Sequence, residues 1–367
     1  MEKKKSKKKI NSSTFLLMIT IALFAVMYIA GMIIFNDKGF AKPQMFMNLF
    51  ISNAGLIVIG CGMTLVMITG GIDISVGSVT ALVCMSAAYA MENKGMSAVA
   101  AVVISLLIGT LFGIVQGYLV TYLEIQPFIV TLAGMFFGRG LTAVISTDMI
   151  AIQNKTFLKW ANYRINLPFG TYNRRGIFIP AYIYPTVIIA LAVVILITIM
   201  LKFTKFGRSL YAIGGNQQSA VMMGLNVKRT KMKAYVLDGF LAGLGGFLFC
   251  LNSCAGFVEQ AKGLEMDAIA SAVIGGTLLS GGVGTVIGTL FGVLINGTIS
   301  SLITTQGTLS SWWVRITLSA LLCFFIVLQA VIAAVKRKRR NKTRNNYNDN
   351  MPEKLSCKRW IACGAVF

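Results

Sequence analysis

Ten apolar runs, each separated from the next by a polar or glycine-rich stretch, organise the chain. They occupy residues 15–35, 46–69, 75–91, 97–122, 126–147, 180–203, 234–252, 266–279, 283–303 and 312–335. A helix needs about 20 residues to cross about 30 Å of hydrocarbon, so most of these runs are long enough to span a membrane. The runs at 75–91 and 266–279 are short and adjoin glycine-rich segments, which predicts partial or broken helices there. The pattern predicts an all-α polytopic membrane protein of about ten transmembrane helices.

Charge orients these spans. Lysine and arginine crowd into residues 3–9, 202–233 and 336–344. Basic loops are retained on the cytoplasmic side, so the N-terminus, one central loop and the C-terminal tail are predicted to be cytoplasmic. Parity agrees, because six crossings return the chain inside at residue 203 and ten return it at 336, provided that both short runs reverse the chain. The domain plan is then a basic N-terminus (1–14), a membrane domain (15–335) and a basic tail (336–367) expected to be disordered. Within the membrane domain lie an outer loop at 148–179 and a cytoplasmic loop at 204–233. The outer loop carries Trp160, Tyr163, Pro168 and Tyr172 and is expected to fold as a small surface element; Arg164, Arg174 and Arg175 make it positive, but long loops obey the charge rule weakly. The first run is too long for a signal-peptide core and has no clear small-x-small cleavage site, which predicts an uncleaved anchor.

Composition narrows the chemistry. The 367 residues are 56% hydrophobic and 13% charged, with a mean hydropathy of +0.74, which a soluble domain of this length does not show. The formal net charge of +22 flanks the spans, so membrane lipid accounts for it and no nucleic-acid partner is called for. Histidine is absent, removing the commonest general base and transition-metal ligand. Cys61, Cys84, Cys250, Cys254, Cys323, Cys357 and Cys363 lack metal-site spacing, so no metal and no cofactor is predicted. No segment matches Gly-x4-Gly-Lys-Ser/Thr, so the chain should not hydrolyse ATP itself, and no catalytic residue is assigned.

Three segments carry the candidate chemistry. The first, Thr69 to Ser78, offers Gly70, Gly71, Asp73, Ser75, Gly77 and Ser78, a poor continuous helix. Asp73 reads either as a functional carboxylate facing protein or water at membrane depth, or as an N-cap of the following helix, a role Ser75 could share. The second holds Asp267 and then Gly275, Gly276, Thr277 and Ser280, ending at Gly284. Two such breaks suggest a central polar path, or close helix packing through small residues. The third, in the cytoplasmic loop, runs from Gly215 through Asn216, Ser219, Ala220 and Met223 to Gly224. It reads as an Asn216 N-cap, a two-turn helix and a glycine stop, either a plug for a cytosolic partner's groove or an ordinary loop helix. The hexapeptide Ile-Gly-Thr-Leu-Phe-Gly also recurs at 108–113 and 287–292, in the fourth and ninth runs. If it marks a repeat, the unit is five spans and its copies run in opposite directions across the membrane.

Over residues 10–335, the stretches Gly70 to Val79, Phe206 to Leu225 and Leu264 to Gly284 resemble the permease subunits of ribose-type ABC sugar importers. Leu132 to Phe137, Gly276 to Gly292 and Gly307 to Trp313 look most like the galactofuranose permeases. The resemblance implies a bacterial inner-membrane protein working with a cytosolic ATP-binding subunit, a second permease (a heterodimer in galactofuranose-like systems) and an extracytoplasmic sugar-binding protein. It also implies that Gly215 to Gly224 couple to the ATPase, while Gly70 to Ser78 and Asp267 to Gly284 line or support the path. The alternative is an ion-coupled secondary transporter, for which Asp73, Glu124 and Asp238 are nearly all the intramembrane charge the chain offers.

Overall fold

The computed structural model describes residues 12–172, 176–307, 310 and 312–349. The basic residues at 3–9, Arg174, Arg175, Thr308, Leu309, Ser311, Cys357 and Cys363 lie outside them. The first half contains α1 (Ser12–Ile34), α2 (Pro43–Ile68), α3 (Val76–Glu92), α4 (Ala98–Thr121) and α5 (Pro127–Ile145). A surface segment follows: β1 (Ile150–Ala151), α6 (Lys155–Ala161) and an antiparallel hairpin of β2 (Ile165–Tyr172) with β3 (Phe178–Ile183). Then come α7 (Pro185–Phe203), the short α8 (Lys205–Gly215) and α9 (Gln217–Met222), α10 (Val227–Ser253), β4 (Ala255–Gly256), α11 (Leu264–Ile274), α12 (Val286–Gln306) and α13 (Trp312–Asp349).

Eight of these helices are long and apolar enough to cross a membrane, namely α1, α2, α4, α5, α7, α10, α12 and α13. The other two predicted runs are short, as their glycine borders imply. Helix α3 has 17 residues, and α11 has 11, about 16 Å of rise and half of a bilayer core. Two boundaries differ from the sequence reading. Helix α7 begins at Pro185 rather than 180, because residues 178–183 pair with β2, Ile165 opposite Ile183. Helix α10 begins at Val227 rather than 234, because the Asn226 side chain accepts the Arg229 N–H at 2.9 Å and caps it there.

The chain divides into two units. In the second, Cys323–Phe367, the described residues are those of α13 as far as Asp349, and the Phe324 and Phe325 rings meet edge to face at 5.7 Å. Everything else described here belongs to Met1–Leu322.

Loop contacts in the larger unit sort by predicted side. Lys38 Nζ donates to the Thr305 and Gln306 carbonyls. Glu92 accepts the Gln153 and Asn154 N–H groups, β1 pairs with β4, and Arg139 donates to the Val258 and Gln260 carbonyls. All of these join segments at the predicted outer end. At the other end, Lys228 pairs with Glu124 at 3.0 Å. This segregation requires the short α3 and α11 to reverse the chain, as the parity argument needs.

Helices α2 and α10 are the most buried of the long helices and pack against each other. Helix α4 packs on α10 and α12 on α2; α3 touches α10 and α11 touches α2. Exchanging α2, α3 and α4 with α10, α11 and α12 maps one set of contacts onto the other, the arrangement of an inverted five-span repeat. Both copies of the hexapeptide supply glycine seams, although against different partners. Gly109 and Gly113 of α4 meet the backbone of Gly239 and Tyr235 in α10, whereas Gly288 and Gly292 of α12 meet Gly275 and Ser271. Lipid supplies little hydrophobic drive between helices, so such close backbone approach carries much of the association.

A side chain at Gly113 would overlap the Tyr235 carbonyl, whereas one at Gly140 in α5 would meet open space. Replacing Gly113 by Leu is therefore expected to destabilise the protein by about 3 kcal/mol or more, while Gly140→Ala is neutral, as thermal unfolding in mild detergent will show.

Candidate functional site

The three candidate segments converge at the predicted cytoplasmic end. Helix α2 stops where Gly70 turns to φ +82°. The second break contains three glycines at positive φ, Gly276, Gly281 and Gly282, and a fourth, Gly263, stands just before α11. Gly282 N–H donates to the Ile68 carbonyl at 2.9 Å, joining the second break to the last residue of α2. Gly214, near the end of α8, lies against the Ile68 carbonyl and the Gly282 N–H so closely that no side chain fits. The Gly215 backbone meets Gly282 from the same side. The Tyr211 hydroxyl donates to the Gly284 carbonyl at 2.8 Å, and burial pushes this phenol above its ordinary value, keeping it a donor. Gly70 faces the Ser280 carbonyl and Gly281. Backbone of α2, the second break and the cytoplasmic loop thus forms one junction.

The segment from Gly215 to Gly224 folds as its sequence implies. Asn216 Oδ1 accepts the Ser219 N–H at 2.8 Å and caps α9. Gly224 takes φ +78°, while its N–H donates to the Val221 carbonyl and that of Leu225 to the Ala220 carbonyl, a Schellman stop. Ala220 is buried against Ile213 and Val227, with Leu225 packed beside them. The helix presents Val221, Met222 (80% exposed) and Met223 to solvent. Asn216 and Ser219 are exposed, and Gly215 has open space where a side chain would stand. The helix α8 before it, capped by the Thr204 hydroxyl on the Gly207 N–H, was not apparent in the sequence because Gly207, Gly214 and Gly215 read as loop.

The first break reaches into the core. Neither Asp73 nor Ser75 caps α3 with its side chain, which corrects the capping reading. Asp73 Oδ1 instead accepts the Ser75 N–H at 2.7 Å and the Ser75 hydroxyl at 2.6 Å. Ser75 Oγ in turn accepts from Gln116 Nε2 at 2.8 Å, and the backbone at Ser75 is already helical (φ −76°, ψ −15°) rather than in the extended form from which a side chain caps. Ser78 donates to the Ser75 carbonyl, and Thr131 of α5 to that of Ile72. Gly77 makes room for the Glu265 carboxyl. Asp73 (3% exposed), Ser75, Ser78 and Thr277 are buried. Facing Asp73 are Asp238 and, one helical turn before it, Tyr235. Gln116 and Tyr235 were missed by sequence reasoning; a lone amide in the apolar run 98–121 was the available signal for Gln116. Asp267 does not join the junction. It lies at the other end of α11, half-buried beside Arg315 and hydrogen-bonded to Asn296.

The comparisons with known proteins agree with this arrangement. Residues 45–327 match the family described as the permease component of branched-chain amino acid transport systems. The chain belongs to that family. It is 40% identical to the inner membrane ABC transporter permease protein YjfF of Escherichia coli, over 89% of this chain and 95% of that one. It is 35% identical to the fructose import permease protein FruG of Bifidobacterium longum (86% and 90% covered) and 37% identical to the ribose import permease protein RbsC of Bacillus subtilis (77% and 82%). No solved structure matches. Family and spans together make this permease a multi-pass protein of the bacterial inner membrane.

At Gly282 a larger residue would meet both the φ of +76° and the Gly215 backbone at 2.9 Å. Gly282→Val is expected to cost this permease at least about 2 kcal/mol, read as a lowered melting temperature. Gly215→Ala should leave it unchanged.

Proposed function

We propose that this chain is the membrane-spanning subunit of an ATP-driven, binding-protein-dependent importer of a neutral monosaccharide, with galactofuranose or a similar sugar as cargo. The observation that carries the reading is the backbone junction, which ties a solvent-facing helix of the cytoplasmic loop to both glycine breaks. The ribose and fructose import permeases among its relatives support a sugar cargo. A neutral sugar is recognised through hydroxyl and backbone groups, which suits the sparse charge of these spans.

In this reading a cytosolic ATP-binding subunit receives α9 in a groove, with Val221, Met222 and Met223 as the apolar contact and Asn216, Ser219 and Gly224 as its frame. Gly215 and Ala220 hold the helix to α8 and the bundle. ATP binding closes the ATPase pair and displaces α9. The displacement passes through Gly214, Ile68 and Gly282 to the ends of α2 and of the second break. A second permease completes the path, as a heterodimer, and an extracytoplasmic sugar-binding protein delivers cargo to the outer end. Gly70, Gly71, Gly77, Gly275, Gly276 and Ser280 support the moving backbone, Thr277 flanks it, the buried Asp73, Ser75 and Ser78 brace it from within, and Asp267 stands toward the outer end of the path. Family membership favours this importer over the ion-coupled alternative.

The test is co-purification from native membranes together with uptake of labelled galactofuranose and ribose. A nucleotide-binding subunit and a second permease should be recovered with the chain. Met222→Asp and Gly215→Trp alter exposed positions, so insertion and melting should be preserved. Transport-coupled ATPase activity should fall about tenfold or more, which corresponds to losing about 1.4 kcal/mol of docking. Full uptake in both variants would refute the coupling role of α9.

A further inference from the structure

Helix α10 carries one carboxyl group at membrane depth that the importer reading does not use. Asp238 is fully buried. Its Oδ1 occupies the space that a side chain on Gly62 of α2 would need, and neither carboxyl oxygen has a donor among the described residues. The Asp73 carboxyl stands within hydrogen-bonding reach. One Asp73 oxygen is already committed to the Ser75 N–H and hydroxyl. A third polar group lies nearby: the Tyr235 hydroxyl, on a residue 1% exposed, has no hydrogen-bond partner among the described residues, sits in the notch left by Gly71 and is close enough for both carboxyl groups to act on it.

The groups facing Asp238 come from every element around it. Helix α2 offers Gly62, the segment before α3 offers Asp73, and α10 itself offers Tyr235; α4 contributes the neutral Gln116, bound to Ser75. Among the described residues no lysine or arginine acts on the pair. Two carboxylates side by side in a low-dielectric interior repel each other and lose their hydration, and with no countercharge they cannot both stay ionised. A metal ion would need six or so oxygen ligands, more than two carboxyl groups and a phenol supply. A proton needs only two oxygens.

We propose that Asp238 and Asp73 form a proton-binding site that holds a single proton, with Asp238 as the acid that donates to the Asp73 carboxylate and Tyr235 beside the pair. The bound proton fastens the non-helical segment 69–75 to α10, the helix that leads directly out of the cytoplasmic coupling loop. This site does not depend on which solute is carried.

Infrared difference spectroscopy of the full chain in lipid nanodiscs tests it. Subtracting Asp238→Asn from wild type should reveal the carbonyl stretch of a protonated carboxylic acid at neutral pH, and it should persist into mildly alkaline buffer. Asp73→Asn should keep the band, shifted in frequency, because Asp238 then remains buried without a counterion. The Asp238→Asn protein should melt within a few degrees of wild type, since an amide also donates to Asp73. Asp238→Ser serves for the same subtraction if the asparagine variant does not insert. The proposal is overturned by the absence of any such band from the difference spectra. It is equally overturned if Na+, K+ or Ca2+ raises the melting temperature of wild type and not of the variant, because that would mark a metal ion in place of the proton.

Discussion

Backbone that leaves a helix at membrane depth must find its hydrogen-bond partners inside the protein, and this requirement shapes the permease more than any side-chain interaction. The turn that follows α2 takes up the Val66 and Met67 carbonyls but leaves that of Ile68. The Ile68 carbonyl is met by the N–H of Gly282, from a break more than two hundred residues later in the chain. Such a bond forms only if two irregular backbones come together without side chains between them. The glycines at 70, 214, 281 and 282 provide that space. The same glycines that weaken the helices are therefore what allow their loose ends to be paired.

The centre of the bundle follows from the same logic. Helices α2 and α10 occupy equivalent places in the two halves, and each receives the opposite half's third and fourth spans. An α-helix in lipid gains from close contact what it cannot gain from hydrophobic burial, so Gly109, Gly113, Gly239 and Gly243 bring α4 and α10 backbone to backbone. That rigidity away from the breaks has a mechanical consequence. In the proposed cycle, a push on the cytoplasmic loop would pass the tightly packed α4 and α10 and act on the junction, where the backbone is irregular.

Much of this could be read from the chain before any coordinates. Spans of twenty apolar residues announce themselves because lipid thickness imposes their length, and the two short helices were foreseen from Gly70–Gly71 and Gly275–Gly276. The cap at Asn216 and the stop at Gly224 were visible because such caps depend on a few neighbouring residues. What the sequence hid was non-local. Nothing in the pattern near Ser75 says that its hydroxyl will be claimed by Asp73 and its oxygen by Gln116, forty-one positions away, so the expected cap failed. Equally, the start of α10 at Val227 was masked by lysines that lower hydropathy without lowering helix propensity, and the α7 boundary was set by strand pairing with β2.

The shape of α9 bears on what it is for. A helix of six residues is far too short to be stable alone, yet it is closed at both ends and held by the single buried contact of Ala220 with Ile213 and Val227. Val221, Met222 and Met223 contribute nothing to that support, since all three are exposed. Methionine is flexible and polarisable, suited to filling a groove whose shape changes during a cycle. A short helix closed at both ends with its apolar face in water is what the proposed docking on an ATP-binding subunit calls for. In that proposal, its attachment through Gly214 to the ends of α2 and the second break would make an occupant of that face a lever on the membrane domain.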